Sequence, residues 1–198
     1  MAFSEVQICN MALSRIGIQQ TIDDLEEASN EARACKLFYE VMRDAVLGDF
    51  PWEFATKYDS LALVEESPNS DWLFSYRYPI DCLHARRIVS GVGRDATLNP
   101  VFKPGNDGAG RLIYTDEEAP TLEYTMRMEN PAFFSLGFAE ALSYRIASEI
   151  AMPLAIKTEI ADRNVSMYRI ALATATANEA NESTPDEESE SEFTSVRR

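Results

Sequence analysis

The sequence predicts an α+β protein: a helical bundle built from the N- and C-terminal segments, an antiparallel β subdomain inserted between them, and a disordered acidic C-terminal tail. Three observations carry this. Apolar residues recur every three to four positions over 4–48 and again over 131–178, they alternate with period two inside 58–128, and they nearly vanish after Asn181.

The elements follow in order. Ser4-Glu-Val-Gln7 has capping-box spacing, Val6, Cys9, Leu13 and Ile16 form one stripe behind it, and Gly17 offers a left-handed stop, so a first helix runs over about 4–17. Asp24-Leu-Glu-Glu27 offers a second box, followed by Ala28, Ala32, Cys35, Tyr39, Met42 and Val46, which gives a second helix over about 25–48. Pro51 ends it, and Trp52 supplies a large apolar anchor where the chain leaves the helical layer. Trp72, Phe74, Tyr76 and Tyr78 then alternate with Leu73, Ser75 and Arg77, and Leu122, Tyr124, Met126 and Met128 alternate with polar neighbours; both are half-buried strands. Weaker strand signals cover 58–64, 85–89, 101–103 and 111–115, with turns at Ser67-Pro-Asn-Ser, at Tyr78-Pro79 and at Pro104-Gly105-Asn106-Asp107-Gly108-Ala109-Gly110. Asn130-Pro131 opens a third helix to Met152-Pro153, with Phe134, Phe138, Leu142, Ile146 and Ile150 on one face. A fourth over about 155–178 carries Ala161, Val165, Tyr168, Leu172 and Ala175 and frays in an Ala/Thr/Asn run. One domain over 1–182 and a flexible arm over 183–198 result.

Composition narrows the class. With 198 residues, 45% hydrophobic and 26% charged positions, the chain matches an ordinary globular protein, which excludes collagen-like, disordered and disulfide-scaffold classes. No apolar run approaches the roughly 18–20 residues of a membrane span, and the start lacks a signal-peptide pattern, so a cytosolic chain without membrane partners is expected. Cys9, Cys35 and Cys82 fit neither a disulfide framework nor a CxxC metal site. A net charge of -15, of which only part lies in the acidic tail, leaves a body that repels nucleic acid.

Chemistry-bearing patterns are weak. Asp81-Cys82-Leu83-His84 groups a carboxylate, a thiol and the only imidazole, yet neighbours in sequence rarely form triad geometry, and Cys82 with His84 is half a zinc site. No EF-hand loop is present. Gly105, Gly108 and Gly110 lack the lysine and hydroxyl of a phosphate loop and read as a loosely held hairpin tip. Arg86, Arg87, Arg94, Lys103 and Arg111 form the densest basic stretch and read as a solvated or interfacial face. The aromatic alternation at 72–78 reads as core, not as a base-stacking platform.

Taken in order, Ala12-Leu-Ser-Arg-Ile-Gly17, Ser29-Asn-Glu-Ala32 with Cys35, Tyr39-Glu-Val-Met-Arg-Asp44, Phe50-Pro-Trp-Glu-Phe-Ala55 and Trp72-Leu-Phe-Ser-Tyr-Arg-Tyr-Pro-Ile-Asp-Cys-Leu83 resemble one family. It is the tail tubular protein A, or head-to-tail adaptor, family of tailed bacteriophages. The resemblance covers about the first 85 residues, with the order of elements continuing it. It implies a structural virion protein of the neck, assembled in the cytoplasm of the infected bacterium. About twelve copies would form a ring joining the portal protein to a tail nozzle or other tail protein, around the exiting genome. It implies neither catalysis nor a cofactor. Carried over, the arm, with Phe193, Val196, Arg197 and Arg198 at its tip, docks on the portal, and the 58–128 block, with the loop Pro104–Gly108, faces the tail; Pro51, Trp52, Trp72, Tyr78 and Pro79 are structural anchors. An acidic channel wall would let DNA slide without specific binding. Two other classes stay open: a carboxylate-based hydrolase, which needs two carboxyls roughly 5–9.5 Å apart in a cleft, and a DNA-packaging or DNA-binding helical protein, which needs a basic surface.

Overall fold

The structure, a computed structural model, describes residues 2–89, 99–155 and 157–182. Its fold is α+β. Among the described residues four helices, α1 (Glu5–Arg15), α2 (Asn30–Asp49), α3 (Leu136–Ala155) and α4 (Thr158–Glu182), build one core, and seven strands lie between α2 and α3 in the chain.

Local chemistry sets the helix ends. Ser4 Oγ accepts the Gln7 N–H at 3.1 Å while Gln7 Oε1 accepts the Ser4 N–H at 3.0 Å, a complete capping box. At the other end of α1, Gly17 has φ +85°. The Gly17 and Ile18 amides donate to Ser14 and Leu13 carbonyls, the paired bonds of a Schellman stop, which needs a residue that tolerates positive φ. The second box does not cap α2. Asp24 instead accepts the Glu26 N–H in a local turn, and α2 starts at Asn30 because Ser29 Oγ accepts the Ala32 N–H. The segment between the two helices is held on α1, where the Asn10 side-chain amide exchanges two 2.9 Å hydrogen bonds with the Ile22 backbone.

The second half departs from the sequence reading in four places. Asn130 caps a short 3-10 turn, Pro131–Phe133, and α3 begins only at Leu136. Pro153 does not end α3, which runs to Ala155. A proline in the last turn deprives one carbonyl of its partner, here within two residues of the end. α4 starts at Thr158 and stays helical through the Ala/Thr/Asn run to Glu182, so that run does not fray. Finally, α3 is buried almost all round, its second face being Ala139, Ser143, Ala147 and Ala151, because it is the central helix, packed against α1, α2 and α4. Gly137 lets α4 approach: a Cβ there would stand 2.6 Å from the Ala175 Cβ.

The strand block is two antiparallel sheets, not one. β1 (Thr56–Ser60), β7 (Thr121–Met126) and β4 (Cys82–Val89) form a three-stranded sheet in the order β1-β7-β4. β2 (Ala62–Glu66), β3 (Phe74–Arg77), β6 (Arg111–Thr115) and β5 (Phe102–Asn106) form the other, in the order β2-β3-β6-β5. The run at 58–64 is split between them at the buried Leu61, whose N–H donates to the Pro120 carbonyl, so the chain changes sheet at a single corner residue. β3 begins at Phe74, leaving Trp72 half-buried in the preceding loop. β5 runs through Pro104, Gly105 and Asn106, which the sequence reading placed in a turn; an edge strand tolerates the proline. Leu61, Tyr76, Tyr78, Cys82, Ile88, Ile113, Leu122 and Tyr124 form a second core.

Bundle and sheet are joined at the end of α2. That helix ends without a glycine stop, Phe50 following in extended conformation, so its last carbonyls need donors from elsewhere. Trp52 Nε1 donates to Val46 O at 2.8 Å, and Arg86 from β4 donates to Gly48 O at 3.3 Å. Arg127, just past β7, pairs with Asp44 at 2.9 Å.

Candidate functional site

The residues with chemical potential resolve first into structural roles. Asp81, Cys82 and His84 separate. Asp81 turns to Lys57 at 3.1 Å and accepts the Tyr124 hydroxyl at 2.8 Å, Cys82 enters the sheet core, and the exposed His84 ring lies against the end of α2. A Cβ on Gly48 would fall 2.4 Å from His84 Nε2, which explains the glycine at that crossing. Burial pushes the Cys82 thiol up to about 11, opposite to the shift that makes a cysteine nucleophilic.

One carboxylate pair does converge. Asp59 and Asp81 both contact Lys57 Nζ, at 3.2 and 3.1 Å, and both lie within reach of the Tyr124 hydroxyl. Burial, then the hydrogen bond to Asp81, raises the Tyr124 phenol, which therefore stays protonated as the donor. A cation and a phenol occupy the space between the carboxylates, where a hydrolytic site would hold substrate and water. The cluster ties β1 and β7 to the turn before β4.

The basic stretch is dispersed too. Arg86 bonds Thr125 Oγ1 at 2.9 Å and Gly48 O, Arg87 pairs with Glu123 at 2.7 Å, and Arg111 stacks 4.0 Å over the Tyr78 ring. Arg94 lies outside the described residues. Arg86, Arg87 and Arg111 are thus engaged within the fold, and Lys103, on β5, is exposed.

At the β5–β6 tip, Asp107 organises the turn. Its carboxylate accepts from both terminal guanidinium nitrogens of Arg77, at 3.0 and 2.7 Å, and from the Ala109 and Gly110 N–H groups, while Asn106 Oδ1 accepts from Gly108. The Arg77 bond leads in lowering the Asp107 carboxyl well below its usual range. Gly108, at φ +83°, supplies the backbone conformation that a side chain would strain. Glycine content alone concealed these side-chain bonds.

Of the other anchors, Trp52 is fully buried and stacks edge-on against Phe50 and Phe138, at 5.3 and 5.1 Å between ring centroids. Pro51 is exposed, Tyr78 is buried beneath Arg111, and Pro79 leads into the turn before β4. The tip residues Phe193, Val196, Arg197 and Arg198 lie outside the described residues. Glu179, near the end of α4, accepts the Glu53 N–H at 3.3 Å and the Ser135 hydroxyl at 3.4 Å, so the last turn of α4 lies beside the entry to β1.

Open surface lies elsewhere. A groove of about 580 Å³ runs along the outer face of α1, past Phe3, Gln7, Met11 and Arg15, with the Arg15 guanidinium 3.3 Å over the Tyr144 ring. Leu37 and Val41 stand out from α2, 68% and 61% exposed, and Leu63 and Val64 from β2, 50% and 42% exposed. Sequence reasoning passed over all four. For α2 a signal existed: Leu37 and Val41 fall off the stripe formed by Ala32, Cys35, Tyr39, Met42 and Val46, and apolar residues off the buried stripe mark a second face. No protein-family model matches this chain, and no curated protein matches it.

Proposed function

We propose that this chain is a structural virion protein, a head-to-tail adaptor that forms a ring between the portal and the tail of a bacteriophage and surrounds the path of the genome. The observation that carries the reading is architectural. Helices from both sides of the strand block build one bundle, the strands between them have a core of their own, and the last turn of α4 lies beside the entry to β1. Such a body offers a helical end and a β end to two different neighbours, which is what a joint between two assemblies requires. This adds to the family resemblance in the first 85 residues, which names the neighbours.

In this reading the arm docks on the portal, and the β unit meets the tail component. α4 is 25 residues long, about 37 Å at 1.5 Å per residue. Residues 183–198, fully extended, reach about 50–60 Å, so an arm leaving at the junction can run back along the whole bundle. Burial of Phe193 and Val196 would contribute roughly 1.5–3 kcal/mol each before the ordering cost, weak for one copy and strong when repeated around a ring. The channel passes DNA without holding it.

The test is co-sedimentation of the purified chain with assembled portal, followed by electron microscopy of the complex. A ring of copies on one end of the portal supports the reading. Deleting 183–198 is expected to abolish attachment without changing the thermal midpoint. Full-length chain that neither binds the portal nor forms a ring on it overturns the reading, and truncated chain that attaches at wild-type efficiency overturns the arm's part in it.

A further inference from the structure

Cys9, Cys35 and Cys82 lie too far apart in sequence to suggest a pairing, yet the fold brings two of them together. Cys9 is on the buried face of α1 with Ile8, Ala12 and Leu13, Cys35 is on the buried face of α2 with Ala32, Tyr39 and Met42, and both are fully buried in the bundle core. Their side chains hydrogen-bond to each other across the contact between the two helices. The neighbouring turns support that alignment. Glu5, one turn before Cys9, interacts electrostatically with Tyr39 and Arg43, one and two turns after Cys35. The helices therefore run antiparallel here, with Cys9 and Cys35 at opposite positions on facing stripes. Ala12 follows Cys9 on one stripe and Ala32 precedes Cys35 on the other, both fully buried, and side chains that small let two helices approach closely. Cys82 belongs to the other core, among the strands.

The pair is asymmetric. Cys9 donates and the Cys35 sulfur accepts, and this hydrogen bond leads both in lowering the Cys35 thiol and, ahead of burial, in raising Cys9. Thiolate character collects on Cys35, which is therefore first to react, with the Cys9 thiol held against it.

We propose that Cys9 and Cys35 are a redox-sensitive pair, which a peroxide converts into an intramolecular disulfide stapling α1 to α2. The Cys35 thiolate attacks one peroxide oxygen: the S–O bond forms, the O–O bond breaks, and the departing hydroxide takes up the proton that Cys35 released and leaves as water. The Cys9 sulfur then attacks the Cys35 sulfur, the S–S bond forms, the S–O bond breaks, and the second hydroxide leaves as water with the Cys9 proton. Two thiols are oxidised and one peroxide is reduced. Burial slows the first step without closing it. The outer face of α1 is the open groove past Phe3 and Met11, and a molecule as small as peroxide enters when the helix opens locally. In a reducing cytoplasm the pair stays as thiols, and in the oxidising surroundings of a released particle it becomes a staple; that timing alone rests on the adaptor reading.

The experiment uses the full chain, reduced and then treated with hydrogen peroxide, after which free thiols are capped with N-ethylmaleimide in denaturant and the chain is cut with trypsin. The expected product is peptide 1–15 joined to peptide 34–36, with Cys82 capped and the uncut chain still a monomer on a non-reducing gel. Closing this loop in the unfolded chain is expected to raise the thermal midpoint by roughly 7–14 °C, and reductant to return it. In Cys9→Ala the oxidised Cys35 has no thiol to resolve it, so dimedone, which traps sulfenic acids, is expected to label Cys35, and the rise in midpoint is expected to vanish. Capped thiols at both positions of the oxidised wild type, a bond from either to Cys82, or dimers between chains would each overturn the proposal. A disulfide that leaves the midpoint unchanged would overturn the staple, and dimedone labelling of Cys9 in Cys35→Ala without labelling of Cys35 in Cys9→Ala would overturn the order of reaction. All of this is read on the isolated chain, so the pair stands or falls independently of portal co-sedimentation, which tests the adaptor reading.

Discussion

Trp52→Ala probes the joint between bundle and sheet. The side chain is fully buried among Phe50, Phe54 and Phe138, and its Nε1 provides the donor for Val46 O in the last turn of α2. Truncation removes an aromatic side chain from a close-packed core, a loss of about 3–5 kcal/mol, to which the unpartnered carbonyl adds about 1 kcal/mol or more. For a chain of this length each kcal/mol moves the thermal midpoint by roughly 2–4 °C, so a fall of about 8–24 °C is expected. Trp52→Phe retains much of the ring volume but leaves Val46 O without its donor, and is expected to cost about 1–3 kcal/mol. Trp72→Ala is the control: that ring is half-buried in a loop, and its removal is expected to cost less than about 1–1.5 kcal/mol. Urea unfolding followed by far-ultraviolet circular dichroism measures all three without relying on tryptophan emission. If Trp52→Ala cost no more than Trp72→Ala, the joint would be held by other contacts and the account of the α2 terminus would be wrong.

Three further outcomes are expected. The amides of Ala109 and Gly110 should be protected from hydrogen exchange in the wild type and lose that protection in Asp107→Ala; equal exchange in both would show that the tip is not built on Asp107. Because the folded-state carboxyl of Asp107 lies below its ordinary 3.8, its contribution is fully present above that value and is lost only as pH falls through the lower folded value. Protection at the tip should therefore survive to pH 4, and its loss between pH 7 and 5 would contradict the Arg77 pairing. Gly137→Ala should destabilise by about 1–3 kcal/mol, since the new Cβ meets Ala175, and Ala175→Gly should recover part of the loss; a neutral Gly137→Ala would mean that the α3–α4 crossing yields freely.

Legibility in the sequence tracked how local the determining physics was. The capping box at Ser4 and Gln7, the stop at Gly17 and the strand 111–115 were readable because their hydrogen bonds or strand-favouring residues lie within a few positions. The start of α2 was misread because two capping patterns, at Asp24 and Ser29, lie five residues apart; in the fold Asp24 closes a local turn and Ser29 caps the helix. The split of 58–64 into two strands was invisible, since no glycine or proline marks the break and the change of sheet depends on Leu61 meeting Pro120, far along the chain. Candidate chemistry behaved likewise. Proximity in sequence grouped Asp81, Cys82 and His84, and tertiary structure gave each a different partner.

By itself the sequence determined the class of the protein: periods of 3.6 and 2 in the right order, an acidic body, and helices at both ends of a strand block, all consequences of side-chain pattern acting over one or two turns. Only the tertiary structure decided that the strands divide into two sheets, that α3 is buried almost all round, and that Leu37, Val41, Leu63 and Val64 are left facing outward. The reason is that exposure belongs to a neighbourhood: an apolar residue is covered or uncovered by elements distant in the chain, and no local pattern says which elements those will be.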